Sequence, residues 1–407
     1  MCSGWALAAE GKTDRYEMGL DEVNLKKLRV LSIFGTRPEA VKMAPVVARL
    51  VDTANIEARV CVTAQHRQML DQVLNLFQIE PDIDLDLMRP NQTLAELTAA
   101  VFTHLDPILE KMEPDWVLVQ GDTTTVMAAS LAAYYRRIRI GHVEAGLRTH
   151  DKWQPFPEEI NRRVAGVVAD LHFAPTAWAR QNLLQEGVPA EQVVVTGNPV
   201  IDALQTVVRL PAPSEVLSLL DRLGIAQDAT GEETGARRLV VVTAHRRENF
   251  GRPIEQVCRA LVELAKTYQG QVQFVYPVHL NPNIQEPVYR LLGEAPNITL
   301  LPPLDYLPLV HLIKRAVLVL TDSGGIQEEA PGPGVPVLVL REVTERPEGV
   351  EAGTVRLVGT DADRIVLETR RLLDDPQARA EMARAVNPYG DGHAAERIVK
   401  AILDSRY

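Results

Sequence analysis

The sequence alternates short runs of apolar, β-branched residues with longer segments whose apolar positions recur at a helical spacing. Such alternation is typical of βαβ units, in which parallel strands form a sheet and the connecting helices cover its faces. The runs form two series, one in each half of the chain. They predict strands at 28–34, 59–63, 116–120, 139–143 and 193–197, and then at 239–243, 272–277, 298–301, 316–321, 335–340 and 354–358. The pattern therefore predicts an α/β protein with two parallel sheets.

The two series divide the chain into two Rossmann-like domains, with residues 28–198 in the first and residues 199–386 in the second. Because open parallel sheets bind ligands at the carboxyl ends of their strands, we expect a ligand cleft between the two domains. Residues 1–27 are polar and carry no clear period, so we interpret them as an N-terminal extension that is disordered. Residues 387–407 combine turn signals with an amphipathic helix, which could pack on either domain.

Charge and apolar content disfavour several classes of protein. Acidic residues outnumber basic residues by 54 to 43, and the net charge of -11 disfavours nucleic-acid binding. No run approaches the roughly 18 apolar residues that a membrane helix needs, and the N-terminus does not have the pattern of a signal peptide. Cys2, Cys61 and Cys258 are too widely spaced for a CxxC pair. We therefore expect a cytoplasmic protein with no membrane or nucleic-acid partner.

Two glycine-containing turns follow predicted strands and are candidates for binding an anion. The first, GTRPEAVK, carries Arg37 and Lys42 at the start of a helix, where free N–H groups and the helix dipole attract negative charge. The alternative is a plain turn with solvated basic residues. This turn is neither GxGxxG nor a Walker A loop, which argues against NAD and P-loop NTPase functions.

The second turn, TDSGGIQEE, follows the run at 316–321. Its small residues let the backbone approach a phosphate, and a carboxylate one helical turn later can accept both hydroxyls of a ribose. The candidates are Ser323, Gly324, Gly325 and Glu329. The alternative is that acidic residues in a first helical turn are favoured by the dipole without any ligand.

Three carboxylates, Asp122, Glu144 and Glu158, lie at or after the carboxyl ends of strands in the first half. Carboxylates that converge on one cleft can act as general acid and general base if their environments separate their pKa values. Structural roles remain open for two of them: Asp122 could cap the following helix, and Glu158 could form a helical ion pair with Arg162.

His245 and His279 each follow a strand of the second half, where a histidine can hold a diphosphate or move a proton. His66, in TAQHRQ, could equally cap a helix or lie at the edge of the core. Metal-binding motifs such as HExxH do not occur, so we predict no metal and no cofactor.

The chain resembles the bacterial non-hydrolysing UDP-N-acetylglucosamine (UDP-GlcNAc) 2-epimerases from about residue 28 to its end. The resemblance is carried by FGTRPEAVKMAP, VTAQHRQMLDQVL, QGDTTT, GHVEAGLRTHD, PFPEEINRR, TGNPVIDAL, TAHRRENFG, YPVHLNPN, LTDSGGIQEEAPG, TERPEGVEAGTVRLVGT and NPYGDG. It implies a GT-B-like fold in which 387–407 return to the first domain. It also implies reversible conversion of UDP-GlcNAc to UDP-N-acetylmannosamine (UDP-ManNAc), by elimination of UDP to 2-acetamidoglucal and re-addition.

The resemblance also implies roles for the candidate residues. Those expected to bind UDP are Arg37, Lys42, His245, Ser323, Gly324, Gly325, Glu329 and Arg346. Those expected to take part in catalysis are Asp122, Glu144, Glu158, Arg162 and His245. A second molecule of UDP-GlcNAc is expected to act as an allosteric activator at Gln65, His66, Gln68 and His279. The family is commonly homodimeric, and its product supplies N-acetylmannosamine for cell-surface polysaccharides.

Other functions share the expected fold. A hydrolysing epimerase would release free N-acetylmannosamine and UDP, and a GT-B glycosyltransferase would pass the sugar to an acceptor. A nucleotide-sugar sensor would bind without turnover. Retention of Asp122, Glu144 and Glu158 together argues against the sensor, because a pure binder has no use for three carboxylates beside a diphosphate.

Overall fold

The computed structural model describes residues 27–63, 67–89, 91–225 and 237–405. The predicted extension at 1–27, apart from Lys27, lies outside these ranges, and so do Gln65, His66 and the side chain of Gln68.

The first sheet has seven strands, all parallel, in the order β3-β2-β1-β4-β5-β6-β7. Its strands are β1 (Leu28–Phe34), β2 (Ile56–Val62), β3 (Ile83–Asp84), β4 (Trp116–Gln120), β5 (Arg139–Val143), β6 (Leu171–Ala174) and β7 (Val193–Val195). The five strands expected in this half are confirmed. β3 and β6 were not predicted, because β3 has only two residues and β6 is a four-residue segment interrupted by His172.

The second sheet has six parallel strands in the order β10-β9-β8-β11-β12-β13, and all six were predicted. They are β8 (Arg238–Thr243), β9 (Val272–Pro277), β10 (Ile298–Leu301), β11 (Ala316–Thr321), β12 (Val337–Val339) and β13 (Val355–Leu357). In both sheets the first strand along the chain lies in the interior. The next two strands are added on one side of it and the remaining strands on the other side, as in Rossmann-type domains. The prediction of two Rossmann-like domains is therefore confirmed.

Helices connect the strands and cover both sheets. They are α1 (Arg37–Val51), α2 (Arg67–Leu76), α3 (Leu94–Met112), α4 (Thr124–Tyr135), α5 (Glu158–Val168), α6 (Ala177–Gln185), α7 (Pro199–Arg209), α8 (Ser214–Arg222), α9 (Arg252–Thr267), α10 (Pro282–Leu292), α11 (Tyr306–Lys314), α12 (Gly324–Glu329), α13 (Pro347–Glu351), α14 (Ala362–Asp374), α15 (Pro376–Arg384) and α16 (Ala394–Asp404). Across the described ranges, no helix is long and apolar enough to span a lipid bilayer.

The central strand β4 illustrates how the sheet is covered on both faces. Trp116 and Leu118 pack with residues of α1, α7 and α16, whereas Val117 and Val119 pack with residues of α3 and α4. All four side chains are at most 1% exposed. Burial on both faces explains why this strand is a continuous apolar run rather than an alternating one.

The C-terminal helix α16 packs against α1 and α7. Its first turn is capped by Asp202 on α7, whose carboxylate oxygens accept hydrogen bonds from the backbone N–H groups of Ala394 and Ala395. The segment that leads to α16 contacts the second domain as well, because the Tyr389 hydroxyl accepts from the Gly349 N–H and donates to the Arg346 carbonyl. The C-terminal segment therefore contacts both domains, the first through α16 and the second through Tyr389.

Candidate functional site

The loops at the carboxyl ends of the two sheets face each other and form the candidate site. The turn after β1 contributes Gly35, where a Cβ atom would lie 2.0 Å from the Thr63 hydroxyl oxygen. Thr36 caps α1, and the Glu39 carboxylate accepts from the N–H groups of Gly35 and Thr36 at 2.9 and 2.7 Å. The free N–H groups expected to attract an anion are thus occupied by the chain's own Glu39.

The two cations of this turn have different partners, Arg37 in the second domain and Lys42 in the first. Arg37 donates from both terminal guanidinium nitrogens to the Leu304 carbonyl, each at 3.1 Å. Lys42 is buried, and its ammonium group lies 2.6 and 2.7 Å from the two carboxylate oxygens of Glu144. Arg37 therefore bridges the domains, and Lys42 forms a buried ion pair.

Glu144 lies directly after β5 in a left-handed backbone conformation, with φ of 62°, a strained geometry that is concentrated at functional sites. Besides Lys42, its carboxylate accepts from the side-chain amides of Gln120 and Asn198, the latter at 2.9 Å. Burial raises the pKa of Glu144, but the charges of Lys42 and Arg346 outweigh it and hold the pKa below its ordinary value. Glu144 is therefore an ionised, fully bonded carboxylate.

Two residues of the second domain meet Glu144 across the cleft. Glu328 is 1% exposed and accepts from the Nε atom of Arg346 and from Asn198 Nδ2, the second contact at 2.5 Å. The Nη2 atom of Arg346 lies 3.9 Å from Glu144 Oε1. Lys42, Glu144, Asn198, Glu328 and Arg346 form one connected group, which we call the interdomain charge cluster.

Arg346 is held in one orientation. Its Nη1 atom donates to Glu345 at 2.5 Å, and its guanidinium group lies flat against Gly324, where a Cβ atom would come within 2.7 Å of Nη1. Glycine at 324 is therefore required for close packing of the arginine. The predicted turn of small residues is present, and the Arg346 guanidinium packs directly against it at Gly324.

A second group of charges lies beside the first sheet. Arg162 is buried and donates to the Asp122 carboxylate at 2.6 Å, and Asn161 donates to the Asp122 carbonyl at 3.0 Å. The imidazole Nε2 of His142 lies 2.7 Å from the carbonyl of Gly121, the residue before Asp122. The backbone on both sides of Asp122 and its side chain are thus fixed by separate contacts.

Glu158 starts α5 and faces Asp122. Its Oε2 atom is buried and has no hydrogen-bond partner among the described residues. Burial raises the pKa of Glu158 above its ordinary value, and the negative charge of Asp122 raises it further. The expected helical pair of Glu158 with Arg162 gives way to pairing of Arg162 with Asp122. Glu158 is thereby left as a carboxyl group whose pKa lies above its ordinary value.

The two candidate histidines of the second domain, His245 and His279, stack on each other. The rings of His245 and His279 have centroids 5.6 Å apart and planes inclined by 17°. The turn of His245 is built on Asp322, which is fully buried and accepts from the N–H groups of His245 and Arg246, each at 2.8 Å. Burial lowers the pKa of His245 below its ordinary value.

Glu329 lies apart from its neighbour Glu328 and faces Arg37, Tyr306 and the turn at Ser323. A Cβ atom at Gly325 would lie 3.0 Å from Glu329 Oε1. Burial raises the pKa of Glu329 to about 7, partly offset by Tyr306. A carboxylate here, one turn after the small residues, matches the geometry expected for a group that accepts the hydroxyls of a ribose.

The structure brings most predicted site residues into one cleft. The residues that sequence reasoning missed are those that hold the predicted ones: Gln120, Asn198, Asp322 and Glu328. All four belong to motifs that were recognised, QGD, GNP, TDS and QEE, but each was interpreted as a turn or cap, or not interpreted. No group of three or more potential metal ligands occurs within the described parts of the chain.

Comparisons with known proteins agree with this geometry. The family model described as UDP-N-acetylglucosamine 2-epimerase matches residues 48–403. Enzymes of that name from Yersinia pestis and Escherichia coli K12 are 55% and 54% identical to the chain, over 92% and 93% of its length and 98% and 99% of theirs.

Solved structures give the same result. The UDP-GlcNAc 2-epimerase of Neisseria meningitidis, bound to UDP-GlcNAc, superimposes with a TM-score of 0.85 at 47% identity, covering 93% of this chain and 100% of that one. An S. aureus protein in complex with UDP superimposes with a TM-score of 0.84 at 46% identity, covering 93% and 96% of the two chains. The GT-B-like arrangement of two domains is thereby confirmed.

The raised pKa of Glu329 predicts a pH-dependent stability. Between its ordinary value of 4.5 and about 7, folded protein retains a proton that unfolded protein releases, so the free energy of unfolding falls as the pH rises through this window. Glu329→Gln should remove this loss, and should therefore stabilise the protein more at pH 8 than at pH 4.5. Urea denaturation at both pH values measures it. The exposed Glu263→Gln is the control, and a pH profile of Glu329→Gln parallel to that of the unmodified protein would contradict the assignment.

Proposed function

The chain belongs to the UDP-N-acetylglucosamine 2-epimerase family, and from this premise we propose that it interconverts UDP-GlcNAc and UDP-ManNAc without hydrolysis. We propose that the reaction proceeds by elimination. The C1–O bond to UDP breaks as the proton on C2 is lost, which gives 2-acetamidoglucal and UDP. Re-addition of UDP to C1, with proton delivery to the opposite face of C2, gives the epimer. No atom is lost, and no oxidant is required.

The observation that carries this proposal is the juxtaposition of cations and differently tuned carboxyl groups in one cleft. An eliminated diphosphate needs preorganised positive charge at the position where negative charge develops. Lys42 and Arg346 approach Glu144 from the two domains, and Lys42 and Arg37 both lie near Glu329. These three cations would supply that charge. The small residues and the carboxylate of the second domain would bind the rest of UDP: Ser323, Gly324, Gly325 and Glu329.

Asp122 and Glu158 are the best-supported acid and base. They lie next to each other, but Asp122 is paired with Arg162 at 2.6 Å, whereas one oxygen of Glu158 has no hydrogen-bond partner in the described part of the chain and its pKa is raised. Two carboxyl groups in such different environments can remove a proton and deliver one. Glu144 already accepts from Lys42, Gln120 and Asn198, which makes it a weaker base and a better anchor for the cations.

Neutral variants of the two carboxyl groups test this assignment. Asp122→Asn and Glu158→Gln should each lower kcat by 100-fold or more, roughly the contribution of general acid–base catalysis, and leave the affinity for UDP unchanged. Steady-state kinetics and UDP titration calorimetry measure both quantities, with the exposed Glu263→Gln on α9 as control. A variant with unaltered kcat would be removed from the acid–base pair.

We also propose that UDP-GlcNAc activates the enzyme allosterically from a second position next to the active site. The support from geometry is the stack of His279 on His245. A ligand that contacts His279 would, through this ring contact, also affect the position of His245 in the cleft. The other expected residues of that position, Gln65, His66 and the Gln68 side chain, fall outside the described ranges.

This activation predicts asymmetric kinetics. Reaction started from pure UDP-ManNAc should be slow until a trace of UDP-GlcNAc is added, since the activator stabilises the closed, active conformation. Progress curves with and without added UDP-GlcNAc measure the effect. Equal initial rates in the two reactions would exclude activation.

We further propose that the chain forms a homodimer. Tyr134 and Tyr135 at the end of α4, and Val167 at the end of α5, are between 57% and 85% exposed, and α4 packs against α5. Apolar side chains left exposed on adjacent helices are typical of a surface covered by a partner, and a second copy is the partner that the family resemblance implies. The product would supply N-acetylmannosamine units for cell-surface polysaccharide.

A further inference from the structure

Asn198 connects two carboxylates that belong to different domains. Its Nδ2 atom donates to Glu144 Oε1 at 2.9 Å and to Glu328 Oε2 at 2.5 Å, and its Oδ1 atom accepts from the Val200 N–H at 3.2 Å. An amide group has two donor hydrogens, and both are used here. Rotation of the amide by 180° would place Oδ1 against two carboxylates, so only one orientation is compatible with its neighbours.

Glu328 extends this connection to Arg346. One carboxylate oxygen of Glu328 accepts from Asn198 and the other from Arg346 Nε, and its backbone carbonyl accepts from the Asn387 amide at 2.9 Å. A carboxylate as deeply buried as Glu328 is costly unless it is paired and hydrogen-bonded. Its two partners therefore have little freedom to move independently of it.

The result is a continuous chain of contacts from one domain to the other. Lys42 contacts Glu144, Glu144 contacts Asn198, Asn198 contacts Glu328, and Glu328 contacts Arg346. Both ends of this chain are cations assigned above to the diphosphate. Asn198 and Glu328 have no role in the proposed chemistry, and neither was predicted from the sequence.

We propose that Asn198 and Glu328 are positioning residues of the reaction. They fix the position of Glu144 in the first domain relative to Arg346 in the second domain. The cations for the diphosphate are thereby held near Asp122 and Glu158. This inference rests on the proposed function, because it assigns the residues to the same elimination. Displacing a reacting group by about 1 Å can cost roughly 100-fold in rate, so a contact that fixes this register should affect kcat.

Asn198→Ser separates the bridge from the local role of Asn198. Serine is also a favoured N-cap residue, so it can retain the hydrogen bond to the first turn of α7, but it has no amide to link two carboxylates. We expect kcat to fall by roughly 10- to 100-fold, while the affinity for UDP is unchanged because Glu328 and Glu345 still hold Arg346. No charge is altered, so the variant should fold.

Glu328→Gln tests the other half of the bridge. It removes the carboxylate charge that orients Arg346. Because a less well oriented Arg346 would contact the diphosphate less well, this variant should bind UDP about 10-fold more weakly, in addition to having a lower kcat. Because the two residues act through one contact, kcat of the double variant Asn198→Ser/Glu328→Gln should be no lower than that of the slower single variant. Should Glu328→Gln fail to fold, Asn198→Ser alone decides the matter by its kcat.

Asp202→Asn is the matched control. Asp202 is a buried residue of α7, and its carboxylate caps α16. This variant should lower the melting temperature and leave kcat, KM and UDP affinity unchanged. The inference is overturned if Asn198→Ser behaves in the same way, or if its effect on kcat multiplies with that of Glu328→Gln. An inactive unmodified protein would instead overturn the proposed function itself.

Discussion

Burial of opposite charges between the two domains is the constraint on which the rest of the site depends. Lys42, Glu144, Glu328 and Arg346 are each at most 9% exposed, and removing any ion from water carries a penalty of several kcal/mol unless it is paired. The close ion pairs form within each domain, Lys42 with Glu144 and Arg346 with Glu328. The Asn198 amide and the 3.9 Å approach of Arg346 to Glu144 connect these pairs across the cleft, and these connections form only when the domains are together. The contact between the domains is therefore stabilised by a group of charges that includes two cations of the site, Lys42 and Arg346.

This arrangement suits a reaction in which the eliminated UDP must stay bound beside a neutral intermediate. When UDP leaves C1, the glucal carries no charge of its own, and the diphosphate must remain in place for re-addition. Fixed cations in a water-poor cleft stabilise the departed group more strongly than solvated ones, because they need no reorganisation. Glu144 and Glu328 balance the charges of Lys42 and Arg346 in the protein without ligand, and their hydrogen bonds orient these cations before a ligand binds.

Much of this fold could be predicted from the sequence, because β-branched runs separated by helical segments leave few alternatives. β3 escaped prediction because two residues cannot establish a period, and β6 escaped prediction because His172 interrupts its short apolar run. The candidate site residues lie where the sequence predicted them, at the carboxyl ends of strands. Which of them contact each other could not be predicted, since Lys42 and Glu144 are 102 residues apart and Asn198 and Glu328 are 130 residues apart. Only the packing of two domains determines which charges meet, and a turn-forming Asn-Pro gives no sign that its amide will join them.

In the proposed elimination, the cleft retains UDP while the C2 proton exchanges. Proton and phosphorus NMR of the protein incubated with UDP-GlcNAc in D2O, without added metal or NAD, measures both events. We expect deuterium at C2 and conversion to UDP-ManNAc up to a fixed ratio, with the diphosphate signals remaining those of nucleotide sugars. Accumulation of free UDP and free sugar, or conversion without deuterium at C2, would rule out this mechanism.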